Sequence, residues 1–177
     1  FERKFPYEYK APFSPVDVIE EYTRPARLKE NGKVVVKPAL SDIEYLDFEG
    51  IGTLEAFNTD GLRSLLYTMK VANMKEKTLR YPGHSRIIQA LQATGFFSNK
   101  DIEIKGNKIK PIDLTTHLLK EIWKLSPTDE EFTVMRMIIK GKEKDEDIVY
   151  TYDLFDRYDK NTGFSSMSRT TGFACAA

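Results

Sequence analysis

Three segments of this chain force it to turn back on itself. Asn31-Gly32, Gly106-Asn107 and the charged run GKEKDED each stand between two runs of strand-forming residues, and short connections of that kind join antiparallel neighbours. RLKENGKVVV, IEIKGNKIK and the long pair FTVMRMIIKGK and DIVYTYDLFDRYD therefore read as hairpins, with IEYLDF and GTLEAF as two further extended segments. A doubly wound parallel sheet needs regular alternation of buried strand and helix, and that alternation is missing.

Helical patterns fill the intervals. FSPVDVIEEYTRP predicts a helix with Ser14 as N-cap, Pro15 in its first position and an end near Arg24, because Pro25 pushes its predecessor toward extended conformations. DGLRSLLYTM predicts a short helix capped by Asp60, and PGHSRIIQALQATG one from about Pro82 to Thr94 with Gly95 as C-cap. IDLTTHLLKEIW is a further amphipathic pattern, a core-facing helix with His117 as a partly buried polar residue on it. The expected class is α+β, a mixed and largely antiparallel sheet with helices mainly on one face.

The chain has 177 residues, of which 41% are hydrophobic, a size and apolar content that suit a single domain over 1–177. Lys plus Arg and Asp plus Glu both total 27, so the formal charge is zero and the electrostatic pull toward nucleic acid or an anionic membrane is missing. No apolar stretch approaches a membrane span. Cys175 is the sole cysteine, which excludes an internal disulfide framework and a cysteine-rich zinc cluster and points to a reducing cytoplasm. His84 and His117 lack any metal-ligand spacing, so no metal is expected, and no GxGxxG or Walker loop offers a nucleotide site. The chain opens on Phe1 and stops in TTGFACAA without a stop signal, so 164–177 reads as the start of a helix cut from something longer.

KTLRYPGHSRII sets Arg80, Tyr81 and His84 around a Pro-Gly hinge between a strand and a helix. A helix opening there directs the amides around Gly83 back toward the strand end, one turn from Arg80, so a carboxylate would meet a guanidinium fork and backbone donors. In the competing reading, Arg80 salt-bridges Glu55 or Asp60 and His84 only covers the first turn. EAFNTDGLRSL repeats the strand-turn-helix arrangement with Asp60 and Arg63, and Ser14 lies at a third such junction.

GTLEAFNTDGLRSLL, EKTLRYPGHSRIIQALQATGFF and SSMSRTTGFACAA together resemble the C-terminal domain of the saccharopine dehydrogenase family, with lysine 6-dehydrogenases as the nearest branch. The resemblance implies a fold like the C-terminal domain of glyceraldehyde-3-phosphate dehydrogenase, serving substrate binding and dimerisation. It also implies a parent enzyme with a separate Rossmann domain for NAD or NADP, none of it bound by this fragment, which alone would be inactive. The implied chemistry is hydride transfer at the C–N bond of lysine or a lysine-derived amino acid. Arg80 and the amides at Gly83 would hold a substrate carboxylate, Tyr81 or His84 would shuttle a proton, and Asp60 or Glu55 would meet an ammonium, with Arg63 and Ser14 nearby. A homodimer through the long C-terminal strands is expected. The alternatives from other classes are a non-catalytic dimerisation scaffold and a small-molecule sensor.

Overall fold

The computed structural model describes residues 3–126 and 129–176. They fall into two compact units, 3–125 and 126–176.

The first unit begins with helix α1 (Pro15–Thr23) and hairpin β1 (Ala26–Glu30) and β2 (Lys33–Lys37). Asn31 and Gly32 both take positive φ, 50° and 79°, as the two-residue turn requires. Strands β3 (Glu44–Phe48), β4 (Gly52–Asn58) and β5 (Lys77–Arg80) form an antiparallel sheet in the order β3-β4-β5. The four-residue helix α2 (Leu65–Thr68) lies between β4 and β5, and α3 (His84–Ala93) follows β5. Hairpin β6 (Ile102–Ile104) and β7 (Asn107–Ile109) leads into α4 (Pro111–Trp123). The second unit holds hairpin β8 (Phe132–Glu143) and β9 (Glu146–Arg157), then α5 (Ser166–Ala176).

The α+β class and the antiparallel pairing stand, but among the described residues the strands form four small sheets where one was expected. Local turn chemistry specifies each hairpin, and nothing local joins one hairpin to the next. Three boundaries also move. The β6–β7 turn is Lys105-Gly106, both at positive φ, which returns Asn107 to the ladder opposite Ile104. Gly83 adopts a φ of 100° and is the N-cap of α3, so that helix starts at His84, two residues later than its proline suggests. Arg63, at a φ of 47°, interrupts the run after Asp60 and delays α2 to Leu65.

The core of the first unit packs Val18, Ile19 and Tyr22 of α1 against Leu119 and Trp123 of α4, with Phe57 of β4, Leu40 and Ile88 of α3 completing it. Tyr7, Tyr9 and Tyr22 meet Trp123 edge to face, with centroids 5.4, 5.6 and 6.3 Å away, a preferred aromatic geometry. His117 is exposed, where partial burial was expected, because Thr115, Leu119 and Trp123 form the buried stripe of α4.

Candidate functional site

Strand β5 runs antiparallel to β4 with Arg80 opposite Glu55, so both expected site residues reach one place, yet they take different partners. Glu55 is buried, 2% exposed, and its carboxylate accepts the backbone N–H groups of Gly83 at 2.9 Å and Ser85 at 2.6 Å. The amides that the sequence offers to an external carboxylate are thus taken by an internal one, which also complements the positive end of α3. Two of the donors that an external anion would meet at the start of α3 are therefore already engaged.

Arg80 lies in a cage. Its guanidinium stacks over the Tyr9 ring at 4.3 Å, Nε donates to the Tyr22 hydroxyl at 3.1 Å, Nη1 donates to the Leu79 carbonyl at 2.9 Å, and Nη2 stands 3.8 Å from Glu21. Neither Glu55 nor Asp60 is its ion-pair partner, as the competing reading supposed; Glu21 is. His84, 2% exposed, sits behind the same tyrosines. Its Nδ1 is 2.9 Å from the Tyr7 carbonyl, which can only accept, so Nδ1 carries the proton and Nε2 accepts from the Tyr22 hydroxyl at 2.8 Å. Burial and the Arg80 charge hold the imidazole pKa down to about 4, and burial pushes the Tyr22 hydroxyl up. At neutral pH this is a neutral, fully bonded imidazole. Tyr81 is turned to another neighbour, with the Arg3 guanidinium 4.2 Å above its ring.

Asp60 leaves the capping role to which its position pointed. It takes the backbone N–H of Arg27 at 3.2 Å, and its two oxygens take Nε and Nη2 at 2.9 and 2.8 Å, a bidentate pair that holds its carboxyl below the usual range. The reason is the late start of α2, which puts its amides out of reach. Ser14 occupies the N-cap position of α1 without a side-chain capping bond.

A cleft of about 380 Å³ opens between α1, the turn after β4 and Glu76. Asp17, Glu20 and Glu21 of α1, with Asp60 and Glu76, give it five carboxylates against the cations Arg24 and Arg63. Arg24 pairs with Glu20. Glu76 is hydrogen-bonded to the Thr59 hydroxyl and accepts from the Gly61 amide, and burial raises its pKa. Asp60 and Arg63 from the expected set thus share the cleft, while Arg80 and His84 lie beside it behind Glu21. Thr59 belongs to the polar turn after β4, but Glu21, Glu76, Thr78, Tyr9 and Arg27 carried no sequence signal, because a polar side chain on an amphipathic helix or strand looks the same whether it faces bulk water or a cleft. Among the described residues, no His, Cys, Asp and Glu group has metal-binding geometry, and no helix is long and apolar enough to cross a membrane.

A family model described as saccharopine dehydrogenase C-terminal domain matches residues 1–177. Among solved structures, apo histidine-tagged saccharopine dehydrogenase (L-Glu forming) from Saccharomyces cerevisiae matches with a TM-score of 0.70 at 17% identity. The match covers 98% of this chain and 54% of the yeast one, so this chain spans about half the length of that enzyme.

Proposed function

Because the chain belongs to the saccharopine dehydrogenase C-terminal domain family, we propose that it is the substrate-binding domain of an oxidoreductase that acts on the C–N bond of lysine or a lysine-derived amino acid. NAD or NADP would be held by residues outside this chain. The observation that carries this reading is the cleft beside α1. An amino acid of this class bears at least one ammonium and one carboxylate, and the cleft sets an acidic wall of Asp17, Glu21 and Glu76 against the exposed guanidinium of Arg63. Arg63 receives the carboxylate and the acidic wall receives the ammonium. The caged Arg80 fixes Glu21 in that wall, and Glu55 fixes the start of α3.

The test is an assay of the intact protein with lysine and saccharopine against both nucleotides. Arg63→Ala should raise the KM for the amino acid by about 10- to 100-fold, the worth of one charge-assisted contact, with little change in the KM for the nucleotide. An unchanged amino-acid KM removes Arg63 from the site. Amino-acid binding without turnover would favour the sensor alternative, and neither binding nor turnover the scaffold.

A homodimer through β8 and β9 is proposed on separate ground. The register places Met135, Met137, Ile139, Tyr150 and Tyr152 on one face of the hairpin, each 43–51% exposed. A two-stranded ribbon carrying such a face gains from being covered. Met137→Glu should convert a dimer to a monomer in light scattering of the intact protein. A wild-type monomer at micromolar concentration would end the proposal.

A further inference from the structure

Glu21 and Glu76, which both line the cleft, are joined through two threonine hydroxyls. Thr78 Oγ1 is bonded to Glu21 Oε1, Thr78 Oγ1 and Thr59 Oγ1 lie 2.9 Å apart, and Thr59 Oγ1 lies 3.0 and 2.8 Å from Glu76 Oε1 and Oε2. Glu76 Oε2 also accepts the Gly61 N–H at 3.0 Å. Three oxygen-to-oxygen links thus run in series from one carboxyl to the other, and each hydrogen bond needs one proton. The two hydroxyls supply two. With both carboxyls ionised, each hydroxyl must point outward to its own carboxylate, which leaves Thr59 and Thr78 facing each other lone pair to lone pair. A third proton on either carboxyl completes the series.

We propose that Glu21 and Glu76 share one proton through the hydroxyls of Thr78 and Thr59, forming a proton relay with both ends in the cleft. The resting arrangement puts the proton on Glu76 Oε1, which donates to Thr59; Thr59 donates to Thr78, and Thr78 to Glu21. Two features favour that end. Burial disfavours the charge on Glu76, with Glu21 and Asp60 adding like charge, and Arg80 Nη2 gives the charge on Glu21 a counter-ion at 3.8 Å. Of the other charges around the pair, Glu20 is engaged by Arg24 and Asp60 by Arg27, while Asp17 and Arg63 line the same cleft.

Reversing the chain moves one proton with no change in heavy atoms. Set this way, the chain carries a proton from Glu76 to Glu21: the Glu76 Oε1 proton passes to Thr59, the Thr59 proton to Thr78 and the Thr78 proton to Glu21, so three O–H bonds break as three form, and the Glu76 carboxylate left in the cleft takes up the next proton. The donor that suits such a relay is a protonated amine in the cleft. That use rests on the amino-acid reading above; the proton count does not, and its failure would leave that reading standing.

The test follows the side-chain carboxyl resonances of the intact protein, labelled with carbon-13 glutamate, as pH is varied. One glutamate should titrate above the ordinary glutamate range, and Glu76→Gln should remove that resonance. Thr78→Val is the discriminating variant. It keeps the burial of Glu76 and both of its other bonds, but frees Thr59 to donate to an ionised Glu76, so the raised titration should fall toward the ordinary range. Glu21→Gln should do the same, since its amide supplies the missing proton. A raised titration that survives both variants would make Glu76 a merely desolvated acid and overturn the relay, as would a wild type in which every glutamate titrates normally. Stability carries the matching sign. The folded protein holds a proton that the unfolded chain has already lost, so stability should fall as pH rises from the ordinary glutamate pKa through the raised one, and Glu76→Gln should abolish that fall.

Discussion

Arg80→Ala should destabilise the intact protein by about 3–5 kcal/mol, the usual cost of removing one partner from a buried ion pair. The side chain is 16% exposed and its partner Glu21 24%, so water replaces little of what is lost. The substitution removes the cation above Tyr9, the donor to Tyr22 and the counter-ion of Glu21 together. It also removes a charge that helps keep His84 neutral. Arg80→Lys keeps the charge without the planar fork and the ring stacking, and should cost about 1–2 kcal/mol. Urea denaturation monitored at Trp123, which lies against the same tyrosines, measures both. A variant of wild-type stability with a raised amino-acid KM would instead return Arg80 to direct contact with substrate, the role its position in KTLRYPGH first suggests.

What the residues disclosed by themselves was the part of the fold that is local. Asn31-Gly32 announces its hairpin because positive φ at two adjacent residues is a property of those residues, and Pro25 ends α1 for an equally local reason. The candidate site is made of contacts between distant segments, and there the sequence named participants without naming partners. Glu55, Asp60 and Arg80 all proved to be engaged, but with Gly83 and Ser85, with Arg27, and with Tyr22 and Glu21. Glu55 illustrates the reason. It occupies a strand position that either face of a sheet might bury, and only the return of the chain through β5 brings the start of α3 within its reach. The same device recurs in the second unit, where Glu131 takes the amides of Ser166 and Met167 at the start of α5. In α3 a glutamate remote in sequence replaces the local Ser, Asp or Asn cap that the pattern rules look for, whereas in α5 it adds to a local one, since Ser165 Oγ accepts the Ser168 N–H at 3.1 Å.

That substitution of a remote cap for a local one predicts an outsized effect at Glu55. Glu55→Ala orphans two buried amides and opens a void where a side chain 2% exposed had stood; at about 1–3 kcal/mol for each unsatisfied group, the loss should reach about 3–5 kcal/mol. Glu55→Gln keeps the volume but offers one acceptor oxygen for two donors, and turns an N–H₂ toward an amide, so it should recover only part of that. The local signature matters more than the total. Hydrogen exchange at Gly83 and Ser85 should accelerate strongly in Glu55→Ala, while the β1–β2 hairpin keeps its protection, because the lost bonds hold α3 to β4 and nothing else. Unchanged exchange at those two amides would mean that solvent or another acceptor replaces the carboxylate at no cost, and the start of α3 would then be open to an external anion after all.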